Sequence, residues 1–232
     1  MVIGNGLIAK SFHHYKTKDE FVVFASGVSD SKSSTENDFK REQDLLITTI
    51  KNNLFKRIVY FSTCSITDDD LKQTDYVKHK INIENLIKAA APRFQIFRLS
   101  NLAGITHNPH TVLNFFYFHI TEGRHFDLWK NSERNIIDVE DVYKIADHIL
   151  QNNLFPNQVI NIANDKNYSV KYIVNCIENV CHKKANFTEK EKGAKLVIDI
   201  GEIQPILRSL EIKFDDDYLP KLLLKYYQKH DL

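Results

Sequence analysis

Short runs of β-branched and aromatic residues alternate along this chain with longer stretches in which apolar residues recur every three or four positions. Met1-Val2-Ile3, Phe21 to Gly27, Ile58 to Phe61, Phe94 to Gly104 and Val159 to Ala163 are the short runs, and each reads as a strand. Between them, Lys10 to Tyr15, Asp38 to Leu54 and the segment from Asp75 onward read as helices, the last through Val77, Ile81, Ile83, Leu86 and Ile87. Ser169 to Cys181 reads as a further helix capped by Ser169. Strands alternating with helices predict an α/β chain with a parallel sheet flanked by helices. The run Ile58 to Phe61 is apolar throughout, as suits a strand covered on both faces. Ser62, Thr63 and Ser65 follow at its carboxyl end, where open α/β sheets bind ligands.

Composition narrows the class without altering that picture. The 232 residues suffice for one large domain with a sizeable core, and 43% hydrophobic content with a net charge of +1 describes an ordinary soluble protein. No charge run suggests a nucleic-acid footprint, and no apolar stretch is long enough to span a membrane. The three cysteines are an odd number, and with no secretory signal they fit a reducing cytoplasm. Cys176, Cys181 and His182 have no second ligand pair at a fitting spacing, so they read as helix residues and no metal site is expected. No repeat or low-complexity segment interrupts the chain.

Chemistry enters at two places. Tyr76 and Lys80, four apart, share a helix face just beyond Thr63, so the ammonium is expected to stabilise a phenolate, lower the tyrosine pKa and bind a ribose hydroxyl. A Thr63 or Ser62 hydroxyl would orient the substrate oxygen. On its own Y-x-x-x-K is a common solvated pair. Nearer the N-terminus, Gly4-Asn5-Gly6-Leu7-Ile8-Ala9 is a G-x-G-x-x-A sequence between a strand and a helix, the context in which such a turn holds a dinucleotide pyrophosphate. Two of only seven glycines fall there. The next strand, Phe21 to Gly27, then has two readings. It is either the second strand of a dinucleotide-binding half, with no acidic residue closing it, or the fourth, with the second and third deleted.

FVVFASGVSDS, the helical DFKREQDLLITTIKNNL and KRIVYFSTCSI together resemble the central segment of the extended short-chain dehydrogenases/reductases that act on nucleotide sugars. This favours the deleted-strand reading. Ala25, Ser26 and Gly27 would take the family's small-residue place, Thr63 the catalytic hydroxyl, and Tyr76 and Lys80 its Y-x-x-x-K, after a loop shorter than usual. The segment Phe94 to Gly104 resembles the family's L-R-x-x-N-x-x-G, whose asparagine faces the sugar nucleotide; Asn101 holds that position. Arg134 to Val142 resembles R-D-F-I-H-V-D-D-V, whose arginine contacts the substrate diphosphate; Arg134 matches it, and Asp138 replaces the usual histidine. The aromatics Phe115, Phe116, Tyr117, Phe118, Phe126 and Trp129 read mostly as core.

The resemblance implies a Rossmann-like parallel sheet lacking two early strands, as one domain over 1–232. Residues 105–130 and 165–232 would contribute a small substrate lobe. It implies NAD or NADP held by Gly4, Asn5, Gly6, Leu7, Ile8, Ala25, Ser26, Gly27, Ser62, Tyr76 and Lys80, and a nucleoside-diphosphate sugar held by Asn101 and Arg134. The expected reaction is a 4-keto reduction or 4-epimerisation, catalysed by Thr63, Tyr76 and Lys80. Dehydration is less expected, because Cys64 and Ser65 stand where dehydratases carry Asp and Glu. A homodimer through the helices at Asp38 to Leu54 and Asp75 to Ala90 follows by analogy. Two other readings stand beside this one: a cofactor-poor scaffold serving as a binding or regulatory module, and a reductase of small carbonyl compounds that has no need of Arg134.

Overall fold

The computed structural model describes residues 1–29, 34–68 and 71–228; Asp69 and Asp70, within the short loop before Tyr76, lie outside the described residues. In chain order the first half runs β1 (Val2–Ile3), α1 (Leu7–Ser11), β2 (Phe21–Phe24), α2 (Glu36–Lys51), β3 (Arg57–Thr63), α3 (Asp75–Ala90), β4 (Phe94–Leu99) and β5 (Asn101–Ala103). The second half runs α4 (Val112–Thr121), β6 (His125–Trp129), β7 (Glu133–Asp138), α5 (Val139–Gln151), β8 (Val159–Ile162), β9 (Asn167–Ser169), α6 (Val170–Cys181), β10 (Asn186–Lys190), α7 (Gln204–Ser209) and α8 (Tyr218–Tyr227).

The main sheet has the order β1-β2-β3-β4-β8 with every pairing parallel. That order decides between the two readings of Phe21 to Gly27. A second strand would lie on the far side of β1, as in the order 3-2-1-4-5-6. Instead β2 sits between β1 and β3, the place of the fourth strand, and β1 is left as a two-residue edge. Two smaller sheets complete the fold, β6 paired with β10 and β5-β7-β9.

Period-2 alternation sorts the strand residues onto two cores. Val23, Val59, Phe61, Phe97 and Leu99 face one side, where they join α5, α6, α7 and α8 in an apolar cluster that also takes in Phe126 of β6. Val22, Phe24, Ile58, Tyr60 and Ile96 face the other, against Leu46 and Ile50 of α2 and Ile83 and Ile87 of α3. Capping sets where those two helices start. Thr35 and Asp38 form a reciprocal capping box, so α2 begins at Glu36, two residues ahead of the predicted start; Thr74 caps α3. The first helix is shorter than predicted. It ends at Ser11, and His13–Thr17 continues as a 3-10 helix. Phe12 and Tyr15, three apart and both buried, suit that tighter winding, while His13 and His14 stay exposed.

Towards the carboxyl ends of β3 and β4, the α2–α3 side of the sheet turns from apolar to polar. Glu42 of α2 is fully buried; it accepts hydrogen bonds from Tyr60 Oη (2.6 Å), the Val28 amide (2.6 Å) and Lys80 Nζ (3.3 Å), and pairs with His79 Nε2 at 3.0 Å. One strand further, Glu84 of α3 accepts from Ser62 Oγ (2.6 Å) and takes a bidentate pair from Arg98 at 2.8 and 2.7 Å. Burial opposes ionisation of Glu42. The bonds from His79, Lys80, Tyr60 and Val28 outweigh it and hold the carboxyl down to about 2.

The predicted strand Phe94 to Gly104 divides at Ser100, where the chain leaves the main sheet and β5 pairs with β7. An asparagine network fixes this departure: Asn101 Nδ2 donates to the Asn135 carbonyl (2.9 Å), and the buried Asn135 amide reaches Asn164 O (2.8 Å) and Asn167 Oδ1 (3.0 Å). Asp138 caps α5 through the Glu140 amide at 2.9 Å. The same carboxylate anchors α8, binding Lys225 Nζ at 2.9 Å and Tyr226 Oη at 2.7 Å. Cys176 and Cys181 lie on α6, the second bonded to the Ile177 carbonyl, and His182 closes that helix in the left-handed region. Among the described residues no helix is long and apolar enough to cross a membrane.

Two outcomes follow from this packing. Gly4 has φ +123°, and a Cβ there would stand 2.3 Å from the Ala25 carbonyl oxygen, whereas nothing lies within 4 Å of a Cβ on Gly6. Gly4→Ala should cost on the order of 1–3 kcal/mol or more in urea unfolding, and Gly6→Ala far less. Glu42 ordinarily titrates at 4.5, so its lowered folded-state value contributes about 3 kcal/mol that is complete above pH 4.5 and drains away as pH falls towards 2. Stability measured against pH should therefore fall more steeply over that interval in the native chain than in Glu42→Gln.

Candidate active site

A cavity of about 1000 Å³ opens at the carboxyl ends of the main-sheet strands. Its wall includes Asn5, Gly6, Leu7, Ile8, Ala25, Ser26, Gly27, Ser62, Thr63, Tyr76, Lys80, Asn101 and Arg134, so it gathers every residue singled out from the sequence except Gly4. Gly4 works from behind: its left-handed backbone and missing side chain let β1 turn against Ala25. Gly6 precedes α1 as its N-cap with open space where a Cβ would project, so a ligand can approach the backbone closely. Gly104 completes the turn by leaving room for Leu7 and Val139, whose methyl carbons would lie 2.8 and 3.0 Å from a Cβ there.

On the β3–α3 side, Thr63 Oγ1 donates to Ser65 Oγ at 3.0 Å and accepts from the Ser65 amide at 3.1 Å. The Tyr76 phenol and the Thr63 hydroxyl line the same wall. The phenol's acidity differs from the sequence expectation. Burial first and the Glu42 charge next push it up to about 12, and the Thr63 hydroxyl only partly counters them. The ammonium expected to lower it is occupied elsewhere: Lys80, 2% exposed, donates to Tyr60 Oη at 2.8 Å and to Glu42, with its Nζ 5.8 Å from the Tyr76 ring centroid. Burial also lowers the Lys80 pKa, against the pull of Glu42. Cys64, bonded to the Arg98 carbonyl at 3.3 Å, is pushed up to about 12 by burial and stays a neutral thiol.

Ser62 points its hydroxyl at Glu84, so it braces the cavity wall through the buried carboxylate. Asn101 spends its amide on β7. Arg134 Nη1 donates to the Glu133 carbonyl (2.8 Å), and among the described residues no carboxylate pairs with the guanidinium. Phe116 and Phe126 are core, as expected, whereas Trp129 is 39% exposed and borders the cavity, as Arg134 does. Sequence reasoning missed Glu42, Tyr60, His79 and Arg41, the last reaching Ser26 from α2. A signal for Glu42 was present. It stands four positions before Leu46 and eight before Ile50, inside the apolar stripe of α2.

The wall suits a nicotinamide dinucleotide together with a polar substrate. The glycine turn gives backbone access at one end, and the Ser100 and Ser132 hydroxyls are buried on the wall with no hydrogen-bond partner among the described residues.

Solved structures share this fold. UDP-glucose 4-epimerase of Thermus thermophilus, in complex with NAD, superposes with a TM-score of 0.72 at 13% identity, covering 96% of this chain and 82% of its own. The Thermotoga maritima UDP-glucose 4-epimerase with UDP-glucose gives 0.72 at 16% identity, with 95% and 81% covered. GDP-mannoheptose C4 reductase of Campylobacter jejuni with NADP gives 0.67 at 18%, with 95% and 85% covered. A search of curated proteins finds no significant match to the sequence. The sequence profile of the NAD dependent epimerase/dehydratase family matches residues 8–163, from within α1 through the last main-sheet strand, and the chain belongs to that family.

Proposed function

We propose that this protein is an NAD(P)-dependent enzyme acting on a nucleoside-diphosphate sugar, as a 4-keto reductase or a 4-epimerase. The observation that carries the reading is one continuous cavity. It runs from the open backbone at Gly6, past the Thr63 and Tyr76 hydroxyls, to Asn101 and the guanidinium of Arg134. Fold relatives solved with NAD, NADP and UDP-glucose support the pairing of a nicotinamide cofactor with a sugar nucleotide.

Roles follow from chemistry. Asn5 to Ile8 and Ala25 to Gly27 bind the cofactor, which when bound supplies or accepts the hydride at the sugar carbon. Tyr76 holds the proton exchanged with the sugar oxygen, and Thr63, on the same wall, orients that oxygen. Arg134, planar and permanently charged, is suited to bidentate contact with the diphosphate, and Asn101 to the sugar side. Trp129 offers a face for the base. Residues 105–130 and 165–232 serve as the substrate lobe, and α2 with α3 as a homodimer face. With no strand beyond β1 in the described sheet, the adenosine end lacks part of its usual floor, so cofactor affinity is expected to be weak.

Tyr76→Phe should lower kcat with a nucleoside-diphosphate 4-keto sugar and NADH or NADPH by about 10²–10⁴-fold while circular dichroism stays unchanged. Arg134→Ala should raise KM for the sugar nucleotide about 10-fold or more and leave cofactor binding, followed by calorimetry, intact. Equal turnover of small carbonyl compounds by Arg134→Ala and the native chain, with none on sugar nucleotides, would oppose the reading.

A further inference from the structure

Nothing in an acid/base Tyr–Lys pair requires a carboxylate, yet Glu42 is in contact with Lys80 and is buried completely. Its charge is directed wholly inward. Tyr60 of β3, His79 and Lys80 of α3 and the Val28 amide surround it, and all four are hydrogen-bonded to it. Gly27 is the lid of this cluster. A Cβ there would lie 2.8 Å from Lys80 Nζ and 2.9 Å from Glu42 Oε1, so the small residue at the end of the cofactor loop leaves the space that the ion pair fills.

We infer that Glu42 is a positioning residue that neutralises Lys80 and thereby holds Tyr76 in its protonated, proton-donating form. The inference rests on the proposed activity for the catalytic step it serves, although its electrostatic core does not. In the reduction, the hydride leaves the dihydronicotinamide for the carbonyl carbon and the Tyr76 proton goes to the carbonyl oxygen. Alcohol, oxidised nicotinamide and tyrosinate result, and water reprotonates the tyrosinate. Oxidation needs the reverse, a tyrosinate ready to take the hydroxyl proton. Burial and the Glu42 charge both favour the proton-donating form.

The charges facing Tyr76 support the assignment. From α2 comes Glu42, with Arg41 further out on the cavity wall; from α3 come Lys80 and His79, both tied to Glu42; from β3 come the neutral Thr63 and Tyr60 hydroxyls. Glu84 carries its own cation, Arg98 of β4, and the neutral Cys64 thiol completes the wall. With its ammonium matched by a carboxylate, Lys80 gives the phenolate little net stabilisation. Were Lys80 to lose its proton, the remaining Glu42 charge would disfavour the phenolate further.

The test reads Tyr76 in the cofactor-free protein. Tyrosinate absorbance is followed after rapid pH jumps, before alkaline unfolding, and the Tyr76 contribution is isolated by subtracting the matching Tyr76→Phe variant. Glu42→Gln should lower the Tyr76 midpoint by at least about one pH unit. With substrate and cofactor, the acid limb of the oxidation pH profile should move down by the same amount. An unmoved midpoint in a folded Glu42→Gln protein overturns the inference. A moved midpoint without turnover of any sugar nucleotide overturns the catalytic step assigned to Tyr76, together with the activity it depends on, and leaves Glu42's control of Tyr76 standing. Should Glu42→Gln not fold, the double variant Glu42→Leu/Lys80→Met replaces the pair with apolar volume. A Tyr76 midpoint within about half a unit of the native one is then expected for a mutually neutralised pair, and a rise of more than about one unit overturns it.

Discussion

A carboxylate removed from water must be paired, and in this fold that requirement ties the two flanking helices to the sheet. Glu42 cannot stay ionised without Tyr60 from β3 and His79 and Lys80 from α3, so its burial fixes the rotation of α2 and α3 against β3 at the level of the cavity. Glu84 repeats the device one strand over, joining α3 to Ser62 of β3 and Arg98 of β4. The apolar layer beneath, from Val22 to Ile96, supplies the adhesion but little of the register. Hydrogen bonds to charged groups are directional, and here they orient the side chains that border the cavity.

Chemistry is therefore set by a second layer of groups as much as by those exposed to a ligand. Thr63 and Tyr76 face the cavity as the motif implies, but the character of the tyrosine is decided by burial and by a carboxylate behind it. The same logic governs the far side. Asn101 and Arg134 project from strands held by Asn135, Asn164 and Asn167, and the position of α8 depends on Asp138. In each case a polar residue that must be satisfied on burial doubles as a strut.

The edge strand β1 gives the fold its asymmetry. Among the described residues, two strands are missing beside it relative to a full dinucleotide-binding sheet, yet the glycine turn survives, because its geometry is local: Gly4 bends against Ala25 of the very next strand. The catalytic half loses nothing by the deletion, since β3, α3 and β4 lie on the other side of β2. Among the described residues the glycine turn is kept, and the sheet beyond β1 is given up.

How much of this was legible in the chain depends on the range of the interaction. The apolar run from Phe21, the glycines at 4 and 6, the cap at Ser169 and the four-residue spacing of Tyr76 and Lys80 are local features, and each appears in the structure near the predicted place. The break at Ser100 and the shortened first helix were not legible, because β5 leaves for a partner far along the chain and Tyr15 turns inward to Asp147. Strand order was ambiguous for the same reason: a sequence states that a strand exists, and only packing states which neighbour it chooses. The sequence by itself determined the fold class, the cavity-lining motifs and the family. Tertiary structure alone decided that Lys80 meets Glu42, since the attraction joins two helices separated by a whole strand, and with it the acidity of Tyr76.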